Sequence, residues 1–217
     1  MVTQRKSTVA GKKRREILPK ALRKRQLIQA TMECIADVGL SQVTLSAVTK
    51  KAALSQGIAN LHFDSKENLL METLRFVTDE YNSGLQQIFD ASGGESAEIQ
   101  LRGLVEFQFS RSVTEVTKMA VWFAFYGEAK SRPTYQSICA DMDRKSAQGM
   151  KKLITRVALA YGQEVDAALI ADGYIALIDG LWLNLLLSPR KLNRVRAKRV
   201  ALCYLSGFFP SLVEGSN

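Results

Sequence analysis

Apolar residues recur every three to four positions along most of the chain, and this repeat constrains the fold more than any other feature of the sequence. The first clear stripe includes Leu27, Ile28 and Ile35, which is the spacing of one helix face. No segment stands out with the alternation of apolar and polar residues that is typical of a half-buried strand. The sequence therefore predicts an all-α protein of about nine helices.

Capping and breaking residues divide this repeat into separate segments. Gly39 is a plausible end for the first helix, and Thr44 and Ser55 are typical N-caps of two short helices. The helices predicted in this way span 22–38, 45–52, 55–61, 65–90, 96–110, 114–130, 134–161, 164–187 and 193–209. The best candidate for a break between head and body is the loop at 92–94, Ser-Gly-Gly.

Positive charge is concentrated at the N-terminus. Residues 1–25 hold ten of the 30 Lys and Arg residues and one of the 21 acids, so the whole net charge of +9 lies there. We expect a basic, disordered arm over 1–20, which is typical of a contact with a polyanion, most often nucleic acid. A solubilising tail and a membrane-surface contact are the alternatives that charge alone leaves open.

The cysteines and the longest apolar segment exclude other classes of protein. Cys34, Cys139 and Cys203 have no metal-like spacing and form no even set for a disulfide framework. The segment 167–187 has about the length of a membrane span, but Asp172 and Asp179 would make insertion unfavourable by roughly 5–7 kcal/mol. We therefore expect a cytoplasmic protein without metal, cofactor or membrane contact.

The pair of short helices over 44–63 carries the functional signal. Val48 and Ile58 are spaced to pack the two helices against each other, which leaves the second one projecting. Its first residues offer free backbone N–H groups and a positive dipole end, both of which suit phosphate. Gln56 and Asn60, one turn apart, can hydrogen-bond to base edges. An ordinary helical corner is the alternative interpretation.

Residues 23–70 resemble the DNA-binding head of the tetracycline-repressor (TetR) family. The features that carry the resemblance are Gly39, Thr44, the turn Ala52–Ala53–Leu54–Ser55, Gly57, His62–Phe63, Lys66–Glu67 and Leu69. The resemblance implies that the second short helix enters the major groove and that the protein works as a dimer. We expect a head over 21–81, with its helix-turn-helix motif at 44–63, and a ligand-sensing and dimerisation body over 82–217.

The resemblance also implies which residues contact DNA. Thr44 and Lys66 would bind phosphate, and the start of the recognition helix would meet the DNA. His62 either lies near the DNA backbone or is a helix-ending residue packed in the head. The complete predicted DNA-binding set is Thr44, Ser55, Gln56, Gly57, Asn60, Leu61, His62 and Lys66.

This sequence departs from the family pattern at two positions. The usual turn glycine is Ala53, so the turn must tolerate a side chain. The usual phosphate-binding tyrosine is Asn60, which puts one phosphate contact in doubt. The basic arm exceeds the family minimum, and such arms can reach into the minor groove.

The body most resembles the choline-responsive, BetI-like repressors of that family. The matching segments are 119–125 (MAVWFAF) and 178–183 (IDGLWL), and the resemblance implies a small effector that loosens the grip on DNA. Aromatic rings attract quaternary ammonium groups, and core packing is the alternative role for each ring. The predicted ligand-binding set is Trp122, Phe125, Tyr126, Tyr174 and Trp182.

The helix at 167–187 also holds a stripe of small residues that would let another helix approach closely. By resemblance, the last two long helices form the dimer, and the predicted interface set is Gly173, Ala176, Gly180 and Asn184. Asp172 and Asp179 share one face of this helix, and either border the interface or line the ligand pocket.

Together these features predict a sequence-specific DNA-binding regulator, by family habit a repressor released from its operator by a small molecule. A non-specific, architectural nucleic-acid binder is the alternative. One histidine, no Cys/His pair and no glycine-rich phosphate loop argue against an enzyme.

Overall fold

A computed structural model describes residues 19–90 and 96–214 of the chain, and these residues form helices and connecting turns without any strand. This all-α architecture confirms the prediction from periodicity. The basic arm, apart from its last two residues, and the loop at 92–94 lie outside the described residues.

The head consists of three helices and the first part of a fourth. A short 3₁₀ turn, Leu40–Gln42, follows the first of them. The helices are α1 (Lys20–Val38), α2 (Leu45–Lys51), α3 (Gln56–Phe63) and α4 (Lys66–Phe89).

The body is built from the rest of α4 and six further helices. These are α5 (Ala97–Gln108), α6 (Val116–Ala129), α7 (Pro133–Ala160), α8 (Ala167–Leu187), α9 (Arg194–Ser206) and the short α10 (Ser211–Glu214). Over the described residues, α1 to α9 correspond to the nine predicted helices. The predicted ends differ from the observed ones by at most three residues. The two largest differences are at α8, which begins three residues later because Asp166 caps its first turn, and at α9, which ends at Ser206 before the separate α10.

Side-chain caps fix the starts of α2, α3 and α4. Thr44 Oγ1 accepts from the Ala47 N–H at 3.1 Å, Ser55 Oγ from the Ile58 N–H at 3.4 Å, and Ser65 Oγ from the Asn68 N–H at 3.1 Å. Each bond satisfies an N–H group that the helix itself leaves free. The two predicted caps, Thr44 and Ser55, are therefore confirmed and define the short helix pair, and Ser65 is a third cap that the sequence analysis did not name.

Two hydrophobic cores share the molecule. The first joins α1 to α4 of the head to α6 and the first half of α7, with Phe125 and Tyr135 in edge-to-face contact at its centre. The second lies among α5, α7, α8 and α9. Tyr81 on α4 and Phe123 on α6 pack against both cores. The head is thus packed directly onto the helices that border the second core.

Helix α8 is the one helix, among the described residues, that is long and apolar enough to cross a membrane. Length and composition alone give weak evidence, because the core helices of globular proteins share both. Here Tyr174, Ile178 and Trp182 are buried in the second core. The burial of this face accounts for part of the apolar composition of α8.

Candidate functional site

The recognition helix α3 turns one face inward and one outward. Ala59 and Phe63 are buried against the rest of the head. Gln56, Gly57, Asn60 and Leu61 are exposed on the opposite face, and 70% of the Leu61 surface is accessible. An exposed leucine beside two amides can contact thymine methyl groups while the amides bind base edges.

The predicted phosphate-binding residues lie at three helix starts of the head. Thr44, Ser55 and Lys66 are all exposed and lie at the starts of α2, α3 and α4. Lys66 forms no ion pair with another described residue. Three helix N-termini therefore present free N–H groups, hydroxyls and one cation from neighbouring parts of the head, which suits the phosphates of a duplex.

Gly57 has no packing reason to lack a side chain. A Cβ atom built there would have the Ser55 hydroxyl as its nearest neighbour, at 3.9 Å, so the space above it is open. The helix backbone can consequently approach a ligand closely at this point. Ala53, in contrast, adopts a left-handed φ of 50° in the turn where a glycine was expected, so the turn accepts its methyl group at some conformational cost.

His62 lies at the end of α3 and is partly buried. Burial is the main cause that lowers the pKa of His62 below its ordinary value, and the positive charges of Lys20, Arg23 and Lys24 lower it further. His62 therefore packs partly into the head, beside the cationic start of α1, and its contact with the DNA backbone stays a prediction. In the sequence, Lys20 belongs to the predicted arm, and Arg23 and Lys24 contribute only to the N-terminal charge. Their helical spacing of three and four residues was the available signal.

Contacts from α1 hold the helix pair in place. Gln26 Nε2 donates to the Ala52 carbonyl oxygen at 2.7 Å, and Lys51 pairs with Asp37 at 2.9 Å. Lys24 pairs with Glu72 of α4 at 2.7 Å. The side chain of Gln26 therefore ties α1 to the backbone at the end of α2, and the ion pair of Lys51 adds a second connection from α2 to α1.

Two adjoining cavities lie in the body. We call the first the outer cavity: it has a volume of about 60 Å³ and is lined by Val77, Glu80, Tyr81, Phe107, Ser112, Val113, Lys118, Met119, Trp122, Phe123, Met142 and Trp182. We call the second the inner cavity: it has about 30 Å³ and is lined by Tyr81, Leu85, Phe89, Leu104, Gln108, Met142, Asp143, Ser146, Met150, Tyr174, Ile175, Ile178, Asp179 and Trp182. In this conformation each has room for a few water molecules, so a larger ligand requires lining side chains to rotate.

Two carboxyl groups give the inner cavity its charge. Burial and the neighbouring Asp143 raise the pKa of Asp179 to about 6, and burial raises the pKa of Asp143. Tyr126 donates a hydrogen bond to Asp143 Oδ1 at 2.6 Å. Among the described residues, no Lys or Arg forms an ion pair with either aspartate. The cavity is therefore suited to a cation.

Gln108 fixes three aromatic residues of the inner cavity. Its side chain accepts a hydrogen bond from the Tyr174 hydroxyl at 2.5 Å and donates to the Tyr81 oxygen at 3.2 Å. The backbone carbonyl oxygen of Gln108 accepts a hydrogen bond from Trp182 Nε1 at 2.9 Å. The rings of Tyr81 and Trp182 meet edge to face at 5.4 Å. Gln108 was missed in the sequence because an isolated glutamine within a helix carries no pattern.

The structure brings four of the five predicted ligand-binding residues together. Trp122 and Trp182 line the outer cavity, and Tyr174 and Trp182 line the inner one. The ring of Tyr126 lies tilted beside that of Trp122, with 4.9 Å between the centroids, and its hydroxyl donates to Asp143, which lines the inner cavity. Phe125 lines neither cavity and instead packs on Tyr135 in the first core.

The predicted interface residues lie on an outward face of α8. Ala176, Gly180 and Asn184 are exposed, and the space above Gly180 is open. Gly173 has a role inside the chain, since a side chain there would collide with the hydroxyl of Tyr204 on α9. Asp172 is exposed, whereas Asp179 lines the inner cavity, so the two aspartates that share a helix face have different surroundings.

Exposed apolar side chains flank this face. The largest are Leu169, Leu183 and Leu187 of α8 and Val195 and Val200 of α9. Exposed leucines and valines on two adjacent helices are typical of a surface that another chain covers.

The described residues contain no cluster of His, Cys, Asp and Glu that could hold a metal ion.

Comparisons with known proteins match both halves of the chain. The family "Bacterial regulatory proteins, tetR family" matches residues 27–73, and the family "BetI-type transcriptional repressor, C-terminal" matches residues 97–210. The HTH-type transcriptional regulator BetI 1 of Chromohalobacter salexigens is 33% identical over 184 residues, which cover 85% of this chain and 89% of that protein.

Solved structures share the fold over most of the chain. One is described as a transcriptional regulator from Pseudomonas aeruginosa PAO1, with a TM-score of 0.77 and 25% identity over 88% of this chain and 92% of that one. Another, described as a regulator from Saccharomonospora viridis in complex with choline, has a TM-score of 0.73 and 22% identity over 86% of this chain and 96% of that one.

Proposed function

Because this chain belongs to the TetR family of bacterial transcriptional regulators, with a BetI-type C-terminal region, we propose that it represses transcription. Helix α3 binds an operator, and the protein releases the operator when a small cation binds the body. The observation that carries this proposal is the pair of sites: an exposed face of α3 beside three capped helix starts, and an acidic, aromatic cavity in the second core. We place its action in the cytoplasm, where operator DNA is found.

The DNA-binding part of the proposal assigns different tasks to different residues. Gln56 and Asn60 contact base edges, and Leu61 contacts a thymine methyl group. Thr44, Ser55 and Lys66 contact phosphates, which position the head without reading sequence. Gly57 lets the helix backbone come close, and His62 adds a contact with the DNA backbone.

A gel shift with the DNA upstream of the protein's own gene tests this assignment. We expect that unlabelled random DNA competes at least a thousandfold less well than the same upstream fragment, as for specific regulators. Equal competition by random DNA would instead support a non-specific, architectural binder.

The effector part of the proposal names a choline-like quaternary ammonium compound. Aromatic faces and ionised carboxylates both attract such a group, and Trp182, Tyr81 and Asp179 offer them in one place. The similar regulator from Saccharomonospora viridis was solved with choline. Calorimetry with choline up to millimolar concentration provides the test, and absence of heat would exclude choline as the effector.

The assembly part of the proposal is a homodimer formed through α8 and α9. Ala176, Gly180 and Asn184 would face the second chain, surrounded by the exposed leucines and valines of the two helices. Gly173 would contribute indirectly, since it seats Tyr204 beneath that face. Sedimentation should give a dimer for the native chain and a monomer for Gly180→Arg, whose side chain would fill the open space. A dimer of unchanged stability in Gly180→Arg would place the interface elsewhere.

A further inference from the structure

The two body cavities share part of their lining. Tyr81, Met142 and Trp182 line both of them. Tyr81 and Trp182 are held by Gln108, whereas no bond holds Met142, and a methionine side chain rotates readily about three bonds. A rotation of Met142 would therefore join the cavities into one elongated space.

The two ends of this space differ in chemistry. The inner end presents Asp143, Asp179 and a buried hydroxyl of Ser146 that has no hydrogen-bond partner. No Lys or Arg is among the described residues that line it. A ligand group that fits here carries positive charge and can approach the Ser146 oxygen.

The outer end is apolar. Val77, Val113, Met119 and Phe123 form its walls, and the ion pair between Lys118 and Glu80, with a separation of 2.6 Å, stands among its lining residues. Because these two charges neutralise each other, the outer cavity favours neither sign of charge. The group that fits here is a hydrocarbon arm.

From this arrangement we infer that the two cavities hold one amphiphilic ammonium compound, with its cationic head beside Asp143 and Asp179 and its apolar arm in the outer cavity. This inference rests on the proposed effector role of the body and makes it more specific. A compact cation such as choline occupies the inner end, once rotation of Met142 has enlarged it, and leaves the outer cavity empty. A compound that carries a longer arm uses both.

A homologous series of ligands tests the inference. Calorimetry on the full chain would compare tetramethylammonium and choline with butyl-, hexyl- and octyltrimethylammonium. Burial of each additional methylene in the outer cavity should tighten binding by about fourfold until the arm reaches the cavity mouth. Hexyl sulfate carries the same arm with the opposite charge, and it should bind far more weakly than hexyltrimethylammonium.

Variants at the two ends separate the contributions. Val113→Phe should abolish the gain from the longer arm and leave tetramethylammonium affinity unchanged. Ser112→Trp, at an exposed residue of the outer cavity, should do the same if Val113→Phe fails to fold. Asp179→Asn should weaken the whole series about tenfold and keep the dependence on arm length.

The outcomes also distinguish this inference from the proposed function. If choline binds and the longer arms bind equally or more weakly, the inference fails and the proposed function stands. Equal binding of hexyl sulfate and hexyltrimethylammonium would likewise overturn the inference, because charge would then play no part. If no trimethylammonium compound binds, the proposed effector class falls together with the inference.

Discussion

The head and the body use their functional residues in opposite ways. In the head, the proposed contact residues fall within 44–66, are mostly exposed and support little of the core. In the body, the cavity residues come from five helices, α4 to α8, and most of them also belong to the hydrophobic cores. Substitutions in the head should therefore change binding with little effect on folding, whereas substitutions in the body should change both.

The largest expected effect is on the core that joins the two regions. Phe125 is fully buried between the head and α7, and Phe125→Ala should lower the free energy of unfolding by about 3–5 kcal/mol. Denaturant unfolding measures this loss, with Phe123→Ala, at a partly buried neighbouring position, as the milder control. If Phe125→Ala lost only DNA binding and kept full stability, the claim that Phe125 belongs to a core shared by head and body would be contradicted.

Two head variants should separate reading of sequence from attraction to the backbone. Gln56→Ala should cost about 1–3 kcal/mol of operator affinity and leave binding to random DNA unchanged. Lys66→Ala should weaken binding to every sequence and reduce the salt dependence by about one phosphate contact. Fluorescence anisotropy at several salt concentrations measures both.

Both variants should retain wild-type unfolding curves and wild-type effector affinity, because neither residue touches a core or a cavity. Undiminished operator affinity in Gln56→Ala would contradict the assignment of α3 as the reading helix.

A pH titration should change effector binding in the body. Folding raises the pKa of Asp179 to about 6 from 3.8. Between about pH 4 and pH 6, Asp179 is therefore protonated in the native protein and ionised in the unfolded chain. This tighter binding of the proton stabilises the native protein, and the contribution is lost as the pH rises through that window. A cationic effector needs the ionised form, so its affinity should rise severalfold between pH 5 and pH 7.5.

Calorimetry at these two pH values measures the effect, and Asp179→Asn serves as the matched control. Its effector affinity should be lower and nearly independent of pH, with Asp143 as the remaining titrating carboxyl. An equally steep pH dependence in Asp179→Asn would show that another group controls effector binding.

The smallest expected effect lies in the turn of the head. Ala53 has a positive φ, so Ala53→Gly should relieve the strain and raise the free energy of unfolding by about 1 kcal/mol. Thermal unfolding measures this change. Ala52→Gly, at the neighbouring right-handed position, should destabilise instead, and stabilisation by both substitutions would contradict the role of the left-handed turn.

The sequence predicted the head more closely than the body for a physical reason. Caps such as Thr44 and Ser55 act on N–H groups three residues away, so one short segment contains both partners. Ala53 could likewise be assigned to the turn from its neighbours alone. The start of α8 and the end of α9 were predicted less well, because the apolar pattern continues past both of them. The cap at Asp166 and the separate helix α10 set these two ends in the structure.

The cavity depends on contacts between distant parts of the chain. Gln108 meets Tyr174 across 66 positions and Trp182 across 74, and no local pattern encodes such a meeting. Composition indicated aromatic residues on α6 and α8, but could not tell that Phe125 faces the first core and Trp122 the outer cavity. The sequence left both the dimer interface and the ligand pocket open for Asp179, and its position beside Asp143 in the inner cavity decides between them.

The central claim is that the buried body site and the exposed head site are coupled, and reciprocal titration tests it most directly. Operator affinity would be measured with and without saturating choline or hexyltrimethylammonium, and effector affinity with and without operator. Both ratios should be equal and lie between about 5-fold and 150-fold, each ligand weakening the other. An effector that binds the body with the same affinity whether or not the operator is bound would contradict the account.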